Sequence, residues 1–194
     1  FEAGGQAGSD FWGIYPLEGG RMMLVMGDAV GQDIAGTMVS AVVKSACDEI
    51  FDRRPRELDP AQLLHILNDS LFRPNRPALT SCFAALFDPS RSEMLYANAG
   101  HIPPYKVTLR GDHLDLGVLL GTGPLLGDLS DPGFEVRTVG LSSEESFVFL
   151  TNGLLSVEDS NGREFGARGL QKLLRKQNSV EPEFLRASIL EGLE

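Results

Sequence analysis

Apolar spacing along the chain has a period near two, then near 3.6, then two again over a longer stretch, then 3.6 to the end. Residues 10–17 and 21–28 flank Glu18-Gly19-Gly20 and predict a β-hairpin whose returning strand has its apolar centre at 22–26. Residues 37–51 place Val39, Val42, Val43, Ala46 and Ile50 at helical spacing, and Asp59-Pro60 supplies an N-cap and first-turn proline for a second helix over 60–72. Two hairpins follow, 81–87 with 93–98 around a turn at 88–91, and 105–109 with 113–116 around a turn at 110–112. Strands are expected at 134–139 and 146–150, and two last helices at 165–177 and 181–193. Runs of hairpins and runs of helices, in place of strict strand–helix alternation, predict an α+β fold of antiparallel sheets with helices packed outside.

The first hairpin gives its acids a meaning. Asp28 ends an apolar run and is flanked by Gly27 and Gly31, with a helix pattern just beyond. Glycine there loosens the backbone, so a carbonyl such as that of Ala29 can approach the same ligand as the carboxylate, which suits a hard cation, magnesium or manganese. In a hairpin with a short turn, residues far from the turn pair across the ladder, which sets Asp10 near Asp28 where two acids can share one cation. The same residues also fit a plain strand-to-helix turn in which Asp28 or Asp33 caps the helix, with Asp10 a separate surface acid.

Composition narrows the classes. With 194 residues, 42% hydrophobic and 23% charged, the chain reads as a single domain over 1–194 with a sizeable core, and no run approaches the roughly 18 apolar residues of a membrane span. A net charge of -10 argues against a nucleic-acid or anionic-membrane surface, because such a surface needs clustered Lys and Arg and the cluster Arg53, Arg54 and Arg56 is short and flanked by acids. Cys47 and Cys82 have neither metal nor disulfide spacing and read as core residues of a protein in a reducing cytoplasm. His65, among leucines, reads as structural. The chain starts at Phe1 with no methionine and no signal pattern, so it reads as a domain excised from a longer protein.

Four motifs in order, GSDFWG at 8–13, GDAVGQD at 27–33, YANAGHIPPY at 96–105, and LTNG followed by EFG within 150–166, resemble the metal-dependent PPM-type (protein phosphatase 2C-like) serine/threonine phosphatases, and within them the bacterial RsbU/SpoIIE branch. The resemblance covers nearly the whole chain. It implies an α/β/β/α sandwich of two antiparallel sheets, with two manganese or magnesium ions activating water for attack on phosphoserine or phosphothreonine. Asp10 then matches the first metal aspartate, Asp28 the aspartate bridging both ions, Ala29 the carbonyl ligand, and Asn152 the aspartate of the family's TDG. Asp10 and Asp28 are accordingly the catalytic and metal residues, with Ala29 and Asn152 completing the metal set. The implied partners are a phosphorylated anti-sigma-factor antagonist and an upstream sensor domain, with a homodimer also compatible.

The chain departs from the pattern in several places. Asn152 brings no charge; unit charges about 4 Å apart are worth roughly 4 kcal/mol at an effective dielectric near 20, so the ion partnered by Asn152 is expected to bind weakly. The family's last metal aspartate lies on a strand after the final helix, a strand this sequence does not reach. Ser9 and Gly13 stand where the branch commonly has Gly and Asp, and Asp33 where it has Gly. No general-acid histidine carries over. His101 reads as a turn residue, since Asn98 and His101 flank a turn and can satisfy its backbone groups. The run 159–164 hints at a calcium loop, but its glycine falls too early and the stretch reads as a plain turn. Two functions from different classes remain: a metal-dependent protein phosphatase of sigma-factor partner switching, and a degenerate phosphatase-like module that signals by protein binding.

Overall fold

The computed structural model describes residues 8–31, 34–53, 58–74, 78–121 and 123–193. In chain order the elements are β1 (Asp10–Pro16), a 3-10 turn (Glu18–Gly20), β2 (Met22–Ala29), α1 (Ile34–Arg53), α2 (Pro60–Leu71), β3 (Thr80–Asp88), β4 (Glu93–Ala99), β5 (Tyr105–Arg110), β6 (His113–Val118), β7 (Arg137–Gly140), β8 (Glu145–Val148), α3 (Asn152–Leu155), α4 (Gly166–Leu174) and α5 (Pro182–Glu191). They gather in two compact units, the first made of the chain through His101 with Gly121–Leu141, the second of Ile102–Leu120 with Ser142–Glu194.

The first unit holds an antiparallel sheet in the order β1-β2-β3-β4-β7. Period-two alternation turns Met23 and Val25 of β2, Cys82 and Ala84 of β3, and Ala97 of β4 onto one face. There they meet Val43 and Cys47 of α1 and Leu63, Leu64 and Leu67 of α2. Both cysteines are free and buried, and burial pushes the Cys47 thiol up to about 12 and Cys82 higher than its ordinary value, which fits inert core residues. α2 begins as its sequence predicts: the Gln62 N–H donates to Asp59 Oδ1 at 2.9 Å, the Asp59 N–H donates to Gln62 Oε1 at 3.1 Å, and Pro60 fills the first turn.

Three local expectations change. Val42 is 54% exposed, because the buried stripe of α1 runs through Val39, Val43, Ala46 and Ile50 and Val42 lies about 100° away from its neighbour Val43. The strand expected over 134–139 is confined to Arg137–Gly140, since Phe134 turns into the core edge-on to His65, with ring centroids 5.2 Å apart. β8 stops at Val148, short of Leu150, and the chain enters α3, a helix that the spacing does not predict. Asp33, Arg54 and Arg56 lie outside the described residues.

The second unit has a smaller antiparallel sheet, β6-β5-β8, with a core of Tyr105, Val107 and Leu114 against Leu170 and Leu174 of α4 and Leu185 and Ile189 of α5. Gln171 donates to the Tyr105 hydroxyl at 3.1 Å, and Lys106 pairs with Glu145 at 2.8 Å. The fold is therefore mixed α+β with two antiparallel sheets, each carrying helices, and α5 is the last element among the described residues. No helix among them is long and apolar enough to cross a membrane.

Candidate metal centre

The β1–β2 hairpin pairs Asp10 directly with Asp28, and β2 in turn pairs Asp28 with Ser81 of β3. Directly opposed residues of an antiparallel pair project from the same face with Cβ atoms about 4.5–5.5 Å apart, so three oxygen-bearing side chains form a row across three strands. That register sets Asp10 opposite Asp28, as the hairpin reading anticipates. Gly27 makes the row possible. A Cβ there would stand 2.2 Å from the Ser81 carbonyl oxygen and 2.6 Å from Phe11 Cζ, so only glycine lets β2 come this close to β3 just before Asp28.

Hydrogen bonds brace Asp28 from both sides. Ser9 Oγ donates to Asp28 Oδ1 at 2.5 Å, and Ser81 Oγ donates to the Asp28 backbone carbonyl at 3.3 Å. Ser81 Oγ also lies 2.9 Å from Nδ1 of His101, which is only 4% exposed. A hydroxyl has one proton, so with that proton on the Asp28 carbonyl the imidazole presents Nδ1–H to Ser81. The turn that carries His101 is closed on itself: the His101 N–H donates to Asn98 Oδ1 at 2.7 Å and Asn98 Nδ2 donates to the His101 carbonyl at 3.0 Å, around Gly100 at φ +66°. His101 thus takes the turn role its sequence suggests, and it adds a contact to Ser81 that the sequence does not reveal.

Ala29, the residue after Asp28, is buried and donates its N–H to the Ser9 carbonyl at 3.2 Å. Asn152 belongs to the second unit. It opens α3 instead of ending a strand, is exposed, and accepts the Ser156 N–H on its carbonyl at 3.0 Å. The 159–164 stretch is a turn: Asp159 Oδ1 accepts the Asn161 and Arg163 N–H groups at 2.8 and 3.0 Å, and these bonds hold its carboxyl below the usual range.

The row fits a hard divalent cation better than a soft one. Its donors are carboxylate and carbonyl oxygens, and the free thiols are buried in the core. Among the described residues no group of three His, Cys, Asp or Glu side chains comes together, so Asp10 and Asp28 would supply the charge and backbone carbonyl and water the remainder, which is how magnesium is commonly held. Sequence reasoning misses Ser81, because β2 and β3 are joined through two helices and no turn length reveals their register. Ser9 stands out in the sequence only as a departure from the motif.

Comparison with known proteins bears on the family and the fold. The family described as Stage II sporulation protein E (SpoIIE) matches residues 18–194, a span that includes Asp28, Ala29 and Asn152 and begins after Asp10. Phosphoserine phosphatase RsbP of Bacillus subtilis is 24% identical over 161 residues, 80% of this chain and 38% of RsbP, so the chain spans well under half of that relative. Among solved structures, the SiaA PP2C domain of Pseudomonas aeruginosa is similar at TM-score 0.76 and 20% identity over 95% of this chain and 73% of that one. RsbX, solved in complex with magnesium, is similar at TM-score 0.69 and 15% identity over 97% of this chain and 81% of its own. The match over most of its length, on the two-sheet α+β fold of these phosphatase domains, shows that the chain belongs to the SpoIIE family.

Proposed function

We propose that the chain is the phosphatase domain of a metal-dependent protein serine/threonine phosphatase, with a phosphorylated anti-sigma-factor antagonist or similar phosphoprotein as substrate in partner-switching signalling. The observation that carries this reading is the direct Asp10–Asp28 pairing on one sheet face, within a chain of the SpoIIE family. The likeness to RsbP supports the substrate class, and the magnesium in RsbX supports the metal class, manganese or magnesium.

Asp10, Asp28 and the Ala29 carbonyl would hold the metal; Asn152 joins this set by the family resemblance alone. When bound, such ions lower the pKa of water toward neutrality and neutralise phosphoryl oxygens during in-line attack. The protein's own part is orientation: register sets Asp10 opposite Asp28, Ser9 and Ser81 bond Asp28 at its side chain and backbone, and the His101 turn bonds Ser81. A sensor domain as regulatory partner, and a homodimer, belong to the same proposal.

Asn152 favours a second reading, a phosphatase-like module with little turnover that signals by binding, since the neutral amide stands where the family has a carboxylate. Release of phosphate from a phosphoserine peptide in manganese, by the chain and by Asp28→Ala, separates the two. Turnover that depends on both manganese and Asp28 supports the enzyme. Manganese binding without turnover supports the module, and turnover that survives Asp28→Ala contradicts the site.

A further inference from the structure

We infer that Ser9 is a positioning residue for Asp28, a clasp that fixes which way the carboxylate faces; the inference rests on the metal reading above. Three bonds converge on this one residue. Its hydroxyl donates to Asp28 Oδ1 at 2.5 Å, its carbonyl accepts the Ala29 N–H at 3.2 Å, and the same carbonyl accepts the hydroxyl of Ser40, a buried residue of α1. Ser9 therefore ties the entry of β1 to the end of β2 and to the first half of α1.

The consequence for Asp28 follows from acceptor counting. An ionised carboxylate offers about four lone-pair sites, and a hydroxyl on Oδ1 uses one, leaving Oδ2 and the rest of Oδ1 for other partners. A free aspartate turns about both of its side-chain torsions, whereas one held at Oδ1 by a hydroxyl whose own peptide is pinned twice has its plane set before any ion arrives. Hydrogen bonds to ligating carboxylates from residues that do not themselves touch the ion act in this way, and their loss commonly costs about 10- to 100-fold in metal affinity. Glycine at position 9 would keep the carbonyl bonds and lose the hydroxyl. Serine adds a contact that the backbone alone cannot make.

The test compares Ser9→Ala, which deletes the hydroxyl and keeps the carbonyl, with Ser9→Thr, which keeps both, by manganese calorimetry and by metal-free thermal denaturation. The expected result is manganese affinity about tenfold weaker in Ser9→Ala, affinity within about twofold of the parent in Ser9→Thr, and metal-free melting little changed in both. A merely structural role would move the metal-free melting point and leave the affinity of the folded protein alone. Asp28→Ala run alongside separates the two layers. If it abolishes binding while Ser9→Ala binds as tightly as the parent, the clasp is overturned and the metal site stands; if the parent itself binds no manganese, or binds it equally without Asp28, both fall. Should Ser9→Ala unfold, Ser9→Gly in the same calorimetry decides: affinity equal to the parent overturns the clasp, and a tenfold loss supports it.

Discussion

Asp28 lies in the middle of a row that crosses three strands, with a register partner on each side, a hydroxyl on its carboxylate and another on its carbonyl. Asn152 opens a four-residue helix with no side-chain cap, exposed, in the other compact unit. The family resemblance matches both positions to metal ligands, yet one is held by sheet register and part-buried bonds and the other by a single turn of helix. A residue fixed by a ladder cannot shift without moving its partners, whereas one on a short exposed helix can move while disturbing few neighbours. On the proposed reading, metal affinity would rest on the β1–β2 hairpin, and position 152 would be the more easily shifted of the two.

The largest effect should come from the rigid end. Asp28→Ala should weaken manganese binding by more than about 100-fold, beyond the usual range for groups that only support a ligand, while leaving metal-free stability near the parent's, because the carboxylate sits at the edge of the core. Calorimetry and thermal denaturation on the same preparations check both halves. Parent-like affinity would break the comparison at once.

Next is the backbone beneath the row. Gly27→Ala would drive a Cβ to 2.2 Å from the Ser81 carbonyl, where neither strand can yield cheaply. Overpacking of that kind costs about 1–3 kcal/mol, and at about 2–4 °C per kcal/mol for a chain of this size the melting temperature should fall by several degrees. A variant that melts like the parent would show that the strands are not in close contact at Gly27.

Asn152→Asp sharpens the other side of the comparison. If position 152 contributes an oxygen to the ions, the added carboxylate should raise manganese affinity about tenfold, worth about 1.4 kcal/mol of extra stability at saturating metal. Hydrolysis of a phosphoserine peptide should rise with it. Without metal the same change should be neutral to slightly destabilising. Indifference of both melting temperature and turnover at saturating manganese would remove position 152 from the site.

The smallest effect concerns pH at the far end of α1. Asp48 accepts the Tyr15 hydroxyl at 2.7 Å and pairs with Lys44, and the bond from Lys44 first and that from Tyr15 second hold its carboxyl below the usual value. A depressed folded pKa means stability that is present above the ordinary aspartate value near 3.9, and is lost as pH falls through the lower folded value. The pair is half exposed, so Asp48→Asn should flatten acid unfolding by only about 0.2–1 kcal/mol. Melting of the parent and Asp48→Asn between pH 3 and 6 reads it out, and a deficit in the variant that does not shrink as pH falls would contradict the assignment.

The fold is legible in the sequence where short-range rules apply. Hairpin turns at 18–20, 88–91 and 110–112 reveal local pairing, and Asp59-Pro60 the start of α2. The Asp10–Asp28 pairing follows from one turn and one strand length. Phe134 and the short helix at 152 are not legible, because both depend on what the chain packs against and not on its own periodicity. Ser81 and Ser9 are hidden for a related reason: each bonds Asp28 across a separation of 53 and 19 residues, respectively, which no local pattern reveals. The family motifs mark which loops matter, but they cannot supply these partners, since Ser9 is itself a departure from the motif.

The most direct test of the central claim is anomalous diffraction at the manganese edge from crystals grown in manganese, with Asp10→Ala crystals as control. The predicted result is a peak within about 2.5 Å of both the Asp10 and Asp28 carboxylates, near the roughly 2.0–2.1 Å typical of a small hard dication, and its weakening in Asp10→Ala. Manganese that binds elsewhere on the protein, or a parent crystal with no peak between these two carboxylates, would contradict it.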